Sequence, residues 1–213
     1  MLKLLMPNTL ATNLSNLVIA ENPQFKKSKN KIRYGLEWII SGLNQIVIVC
    51  LLVWPFGILP ETLVALLTGA LLRMFSGGSH FTRYYFCLVF STIQIISLTI
   101  ICVKYTDFLS SHNKLLLLFL LLSFLITMVK APVLHKKKHI FNKDSILRLK
   151  ITAITIYVIF AGVSLFFPYS IMYCIWLPLI FQSITLTALW EKIVLSTEYF
   201  INKITSKGPD LLW

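Results

Sequence analysis

The stretch "LLLLFLLLSFLITMVK", residues 115–130, decides the fold class of this chain. Its apolar residues run continuously and do not alternate with polar ones, so the pattern is not that of a transmembrane β-barrel strand. Only α-helices and closed barrels pair every backbone N–H and C=O inside a lipid bilayer. The stretch therefore predicts a membrane-spanning α-helix.

The composition of the whole chain agrees with that prediction. Of 213 residues, 57% are hydrophobic and 13% are charged, whereas a soluble domain is about 45–50% apolar and about 25% charged. A chain of this size cannot bury such an excess of apolar surface inside itself, so a bilayer must solvate much of it. We expect an all-α polytopic membrane protein.

Six apolar runs predict six transmembrane helices, at residues 36–58, 61–75, 84–103, 115–130, 151–168 and 171–190. The second run has about 15 residues and would reach only about 22 Å as a helix, so we expect it to be short or re-entrant. The chain is interpreted as one membrane-embedded domain over residues 1–213. It would comprise a cytoplasmic or interfacial segment at 1–35, a six-helix core at 36–190 and a cytoplasmic tail at 191–213.

The N-terminal segment carries a helical pattern of its own. Leu10, Leu14, Leu17 and Val18 recur at helical spacing, with polar residues on the other side. This pattern is typical of an amphipathic helix that lies in the membrane interface. A short helix packed on the protein itself is the alternative.

The distribution of basic residues predicts the orientation. With six spans, all but two of the 20 Lys and Arg residues fall on one side of the membrane, and only Lys104 and Lys114 fall on the other. The positive-inside rule makes the basic side cytoplasmic, so both termini and the segment 73–87 would face the cytoplasm of a bacterial cell membrane. The net charge of +12 favours anionic lipids or an acidic peptide as partner. Nucleic acid is not expected, because no stacking aromatics accompany the basic runs.

The chain contains four cysteines, Cys50, Cys87, Cys102 and Cys174. Their spacing matches neither a metal site nor a disulfide framework, so we expect no metal and no cofactor. Cys50, Cys102 and Cys174 lie inside apolar runs, where a thiol behaves as a small hydrophobic group. Cys87 differs because polar residues and a histidine precede it.

The stretch "RMFSGGSHFTRYYFC", residues 73–87, places His80 seven residues before Cys87. A reactive thiolate needs a base or a positive local potential. With a helix that starts near Thr82, Cys87 would lie in its second turn, close to the positive end of the helix dipole, and Arg83 would add to that potential.

The spacing of His80 and Cys87 imposes a geometric condition. Seven positions on one straight helix are separated by about 10.5 Å along its axis, whereas a thiol–imidazole contact needs roughly 3–4 Å. His80 must therefore lie on a turn folded back over the helix start, and Gly77 and Gly78 give the backbone freedom for it. In the alternative interpretation, the segment is an ordinary cytoplasmic turn and Cys87 is a core thiol.

Two polar residues of the first span are further candidates for the site. Asn44 and Gln45 lie one or two turns inside the run 36–58, where either amide could orient the histidine or donate to an oxyanion. Hydrogen bonding between helices is the alternative use of such residues.

These residues resemble the accessory gene regulator B family of bacterial membrane endopeptidases. The resemblance rests on Arg73, Gly77, Gly78, His80 and Cys87, on "KAPV" at Lys130–Val133, and on Asn142 with Lys143. The chain departs from the family at Phe81, where alanine is usual, and in the basic insert "LHKKKHIF". Size, six spans and the basic loop agree, so the resemblance covers nearly the whole chain.

The resemblance implies processing of a quorum-sensing propeptide that has an amphipathic leader, a signal segment and an acidic tail. Cys87 would be the nucleophile and His80 the general base of a cysteine endopeptidase. The tail would leave, and the acyl-enzyme thioester would be resolved by cyclisation to a thiolactone or lactone. The family is also thought to work as a homodimer. The residues expected to meet the acidic tail are Arg73, Arg83, Lys136, Lys137 and Lys138.

Two other classes of function stay open at this point. A small membrane transporter or channel is one, although no inverted repeat and no central run of ionisable groups in a span is evident. A non-catalytic membrane binding or signalling subunit is the other, and in that case Cys87 would have no chemical role.

Overall fold

The fold is seen in a computed structural model, in which the structure describes residues 6–133 and 142–205. These residues form nine α-helices: α1 (Pro7–Glu21), α2 (Lys29–Val53), α3 (Leu59–Ser76), α4 (Tyr84–Lys104), α5 (Thr106–Ser111), α6 (Asn113–Lys130), α7 (Lys143–Ser164), α8 (Tyr169–Ile184) and α9 (Ala188–Thr205). Short 3-10 helices at Pro23–Ser28 and Trp54–Phe56 join some of them. The prediction of an all-α membrane protein is confirmed.

The chain divides into two compact units, residues 1–52 and 53–213, and each is described by itself. The prediction of one embedded domain over the whole chain stays a prediction. In the first unit, α1 buries Ala11 and Ser15, while Leu14 and Leu17 are exposed. A helix that packs through small residues on one face and exposes leucines on another is typical of a helix in contact with lipid. The interfacial position of α1 stays a prediction.

A polar chain connects α1 with α2 inside the first unit. The side-chain amide oxygen of Asn8 accepts a hydrogen bond of 2.8 Å from Arg33, and the Arg33 guanidinium forms an ion pair of 3.3 Å with Glu37. Because Glu37 is buried, this pairing offsets part of the cost of placing a carboxylate in an apolar helix.

Helix α8 is the centre of the second unit. It contacts α3, α4, α6 and α7, and its side chains Tyr173, Trp176 and Leu179 are almost fully buried. A helix that is apolar on all sides is expected at such a central place. The hydroxyls of Thr127 and Ser183 bond across α6 and α8 at 2.8 Å, as is common where helices meet in lipid.

Five helical segments are long and apolar enough to span a bilayer: Pro23–Phe56, α3, α4, α6 and α7. Helices α8 and α9 form a sixth candidate only as a pair, and they are bent by 78°. Helix α3 has 18 residues, which reach about 27 Å, so the second span is longer than predicted. Helix α7 begins at Lys143, eight residues before the predicted span.

The predicted span 171–190 is interrupted in the structure. Helix α8 ends at Ile184, and α9 occupies most of the segment predicted as a tail. At the break, the Thr185 hydroxyl donates to the Gln182 carbonyl at 2.7 Å, a local bond that competes with helix continuation. Hydropathy continues across these residues, so the pattern alone did not reveal the bend.

The C-terminal ends of α3, α6 and α8 meet the start of α4 at one end of the second unit. Gly77 and Val133 pair as an isolated parallel bridge, and the Ser79 N–H donates to the Thr185 carbonyl. The helices of this unit therefore alternate in direction, as the charge segregation requires. That this end faces the cytoplasm stays a prediction.

Candidate functional site

The segment between α3 and α4 contains the turn that the spacing of His80 and Cys87 requires. Residues 77–83 are not α-helical and α4 begins at Tyr84, so His80 does not lie on the helix of Cys87. Gly77 and Gly78 have φ angles of +72° and +124°, a region that L side chains rarely adopt. Cys87 is the fourth residue of α4 and so lies in its first turn, where the second was expected.

The glycine turn is held by the segment that follows α6. The Val133 N–H donates to the Ser76 carbonyl at 2.9 Å, and the Val133 carbonyl accepts from Gly78 at 3.4 Å. A Cβ added to Gly77 would lie 2.1 Å from the Val133 carbonyl oxygen, so only glycine allows this approach. The "APV" stretch, whose Ala131–Pro132 peptide bond is cis, therefore braces the turn from the opposite loop.

Helix α8 supports the same turn from a second side. The buried amide of Gln182 donates to the Gly77 carbonyl at 2.8 Å and to the Ser76 hydroxyl at 3.2 Å. The Thr185 carbonyl accepts from the Ser79 N–H at 3.1 Å. Two segments far apart in sequence, one at Val133 and one at Gln182–Thr185, thus fix the backbone immediately before His80.

The imidazole of His80 has a defined tautomer. Its Nδ1 lies 3.0 Å from the Phe81 carbonyl oxygen, and a carbonyl can only accept, so Nδ1 carries the hydrogen. Nε2 is then the basic nitrogen of the neutral ring. Phe81 itself is buried and packs edge-on against Phe90 at 5.3 Å. The residue that departs from the family pattern therefore anchors the segment.

His80, Cys87 and Arg73 line one pocket with an empty volume of about 290 Å3. The other lining residues are Ser79, Phe81, Phe90, Ser91, Gln94, Thr185, Trp190 and Val194. Cys87 is half-buried, and Arg73 lies close enough to interact with it electrostatically. A cation near a cysteine stabilises its thiolate form. The pocket thus combines a thiol, a base and a cation.

The other predicted site residues are located elsewhere. Arg83 is the N-cap residue of α4, and its guanidinium carbon lies 5.9 Å from the centroid of the Phe86 ring. Asn44 and Gln45 belong to α2 in the first unit, so their role stays a prediction.

The basic run Lys136–Lys138 lies outside the described residues. In the part of the chain that the structure does describe, no group of three or more His, Cys, Asp or Glu residues could hold a metal ion.

Several residues of the site were not found from the sequence. Gln182, Thr185, Trp190 and Val194 come from α8, α9 and the break between them, about 100 residues after Cys87. A glutamine inside the apolar run 171–190 was the one signal for Gln182. Trp190 and Val194 are apolar residues of types that are common in membrane helices, so the sequence does not distinguish them. The bend between α8 and α9 brings them to the pocket.

Comparisons with known proteins point to one family. The sequence model of the family described as Accessory gene regulator B matches residues 10–186. A protein of Clostridium beijerinckii named "Putative AgrB-like protein" is 29% identical over 202 residues, covering 92% of this chain and 98% of its own. A protein of Clostridium perfringens (strain SM101 / Type A) with the same name is 27% identical over 215 residues, covering 93% of this chain and all of its own. No solved structure matches significantly.

The family match covers more than three quarters of the chain and includes both the glycine turn and the "KAPV" segment that braces it. The relatives are matched over nearly their full lengths. The apolar helices make the chain a membrane protein. The chain belongs to the accessory gene regulator B family and thereby to accessory gene regulator quorum sensing.

Proposed function

We propose that this chain is a membrane cysteine endopeptidase that removes the acidic tail of a quorum-sensing propeptide and promotes cyclisation of the remainder. The observation that carries the proposal is the shared pocket. Cys87 on α4 and His80 on the preceding turn line the same small cavity. On one continuous helix, residues seven positions apart would be separated by about 10.5 Å along the axis. The Nδ1 hydrogen bond of His80 leaves Nε2 as the proton acceptor that a thiol nucleophile requires.

The first step forms an acyl-enzyme. The Cys87 sulfur attacks the carbonyl carbon at the end of the signal segment, and His80 accepts the thiol proton. The C–N bond then breaks, and His80 gives the proton to the leaving amine. The acidic tail leaves with a new amino terminus, and the signal segment remains on Cys87 as a thioester.

The second step closes the ring. A thiol or hydroxyl within the bound signal segment attacks the thioester carbonyl, and His80 accepts its proton. The bond from the carbonyl carbon to the Cys87 sulfur breaks, and His80 gives that proton to the leaving sulfur. The products are a thiolactone or lactone and the regenerated thiol. When the attacking group is a thiol, one thioester replaces another, so the exchange needs little free energy and no ATP.

The walls of the pocket support this sequence of steps. Phe81, Phe90 and Trp190 form an aromatic cluster beside the site, with centroid distances of 5.3 Å and 5.8 Å along it. An apolar wall keeps water from the acyl-enzyme, and water would hydrolyse the thioester before the ring closed. Arg73 supplies a positive charge beside the thiol, which opposes the cost that burial and the nearby Glu198 carboxylate impose on the thiolate.

The proposed setting follows from charge and membrane topology. The site and both termini face the cytoplasm, where the amphipathic leader of the propeptide lies in the membrane interface and its acidic tail meets basic side chains. Anionic lipids hold the basic side of the protein at the membrane. The working form is a homodimer, in keeping with the family resemblance.

The test is processing by the purified protein in lipid vesicles. The substrate is a synthetic propeptide with an amphipathic leader, a central segment containing one cysteine, and an acidic tail. The wild-type chain should release the tail, and Cys87→Ala should release none. His80→Ala should be slower by about 10²–10⁴-fold, the usual contribution of a general base. Cys102→Ala, which removes a buried thiol from the same helix, should keep its activity.

Replacing the central cysteine of the propeptide with alanine separates the two steps. Tail release should continue, and mass spectrometry should detect the signal segment attached to Cys87. Tail release by Cys87→Ala at the wild-type rate would contradict the proposal and favour a transporter or a binding subunit.

A further inference from the structure

Helix α9 turns one face toward the pocket of Cys87. Trp190 and Val194 line that pocket, and Glu198 follows at the same four-residue spacing, so the three side chains share one face of the helix. Val194 is buried, whereas Leu189 on another face is 68% exposed. Helix α9 therefore forms part of the site, although it begins about 100 residues after Cys87.

Glu198 reaches from this face to the histidine segment. One of its carboxylate oxygens accepts hydrogen bonds from both the backbone N–H and the hydroxyl of Thr82, the latter at 2.8 Å. Thr82 lies two residues after His80 and immediately before Arg83, the N-cap residue of α4. An arginine side chain has no hydrogen-bond acceptor and cannot cap the N–H groups at a helix start. Glu198 instead supplies a carboxylate at the positive end of α4.

The segment Ser79–Thr82 is consequently tied at both ends. The Ser79 N–H donates to the Thr185 carbonyl, and Thr82 is held by Glu198. His80 lies between these two anchors. The anchors belong to the break after α8 and to α9, and not to the helices that the segment joins.

We propose that Glu198 is a positioning residue for the His80–Cys87 pair and acts through Thr82. This inference rests on the proposed endopeptidase function. Glu198 fixes the C-terminal end of the histidine segment, which sets the distance of the imidazole from the Cys87 sulfur. Its carboxylate acts as a hydrogen-bond acceptor and takes no part in bond making or breaking.

The test compares Glu198→Ala with Glu198→Gln. In vesicles with the synthetic propeptide, kcat of Glu198→Ala should fall on the order of 10-fold to 100-fold, the effect of a small displacement of a reacting group. KM should not change, because substrate contacts remain. Glu198→Gln should recover most of the activity, because an amide oxygen still accepts from Thr82.

Glu191→Ala is the matched control. Glu191 lies on the same helix and is exposed, and none of the hydrogen bonds recorded for the described residues uses its side chain. Its replacement should leave kcat unchanged. Thr82→Val, which removes the hydroxyl but keeps the N–H, should lower kcat below the wild-type value, by less than Glu198→Ala does. It tests the same contact if Glu198→Ala is too unstable to purify. Wild-type kcat in Glu198→Ala, or equal losses in the Gln and Ala variants, would overturn the inference.

A second measurement is independent of peptide processing. The rate of alkylation of Cys87 by iodoacetamide, read by mass spectrometry of the Cys87 peptide, reports how well His80 assists the thiol. Glu198→Ala and Glu198→Gln both remove the negative charge that acts on Cys87, so the comparison is between these two variants. Glu198→Ala should be alkylated more slowly than Glu198→Gln, and Glu191→Ala should react at the wild-type rate. If the wild-type chain cleaves no propeptide but alkylation follows this pattern, the proposed function fails and the positioning role stands. Equal alkylation rates in Glu198→Ala and Glu198→Gln refute the positioning role itself.

Discussion

At the scale of single residues, the site depends on Gly77 more than on any polar side chain of the turn. Its φ of +72° and the Val133 carbonyl oxygen, 2.1 Å from where a Cβ would be, both exclude other residues. The glycine pair was predicted to provide freedom for a fold-back. The structure gives a more specific reason for a glycine at position 77. Without a Cβ, Gly77 lets its turn approach the loop of Val133 within backbone hydrogen-bonding distance.

Gly77→Ala should therefore abolish processing. The left-handed region costs roughly 1–2 kcal/mol for a residue with a Cβ, and the clash with Val133 adds to that cost. The measurements are tail release and thermal unfolding in detergent. Gly69→Ala is the matched control, since its new Cβ would meet only Pro178 Cβ at 3.8 Å. Retained processing by Gly77→Ala would show that the bridge to Val133 is not needed.

At the scale of helices, the bend between α8 and α9 is the element that the sequence pattern did not reveal. A run of mixed apolar and polar residues can either end a span or begin an interfacial helix, and periodicity alone does not distinguish the two. In the structure, α9 buries Val194 on one face and exposes Leu189, Ile193 and Phe200 on another. These exposed side chains suit a helix that lies along the bilayer surface.

We expect α9 to lie in the interface and not to continue the span. Spin labels at Leu189, Ile193 and Phe200 should collide with oxygen more often than with a water-soluble nickel complex. A label at Glu191, which is exposed and lies on roughly the opposite side of the helix from these three residues, should show the reverse. Deep lipid exposure at all four positions would mean that α9 crosses the membrane.

At the scale of the whole molecule, the sequence predicted the class of fold well and the assembly of the site only in part. Continuous apolar runs and one-sided charge sufficed for the helices, because lipid imposes those patterns directly. That His80 lies on a turn before the helix of Cys87 could be predicted from local spacing. The contacts of Gln182 and Glu198 depend on which helix ends meet, and one sequence contains no signal for such contacts over 100 residues.

The basic side of the molecule should set substrate affinity. Replacing Lys136, Lys137 and Lys138 together with Gln should raise KM for an acidic-tailed propeptide and leave kcat unchanged, because charge attraction acts on association. The same change should flatten the dependence of KM on salt. Replacing Lys104 and Lys114, the two basic residues expected on the opposite side, is the control and should have no effect. Cleavage kinetics that do not vary with salt in the wild-type chain would contradict this prediction.

The anchors of the glycine turn also imply an order of events during synthesis. The segment 77–87 leaves the ribosome long before Gln182, Thr185 and Glu198, which hold it in place. A chain that is still being inserted has the thiol and the imidazole but lacks the contacts that align them. The last helices to be made therefore complete the candidate site, so we expect an unfinished or truncated chain to be inactive toward peptides in its membrane.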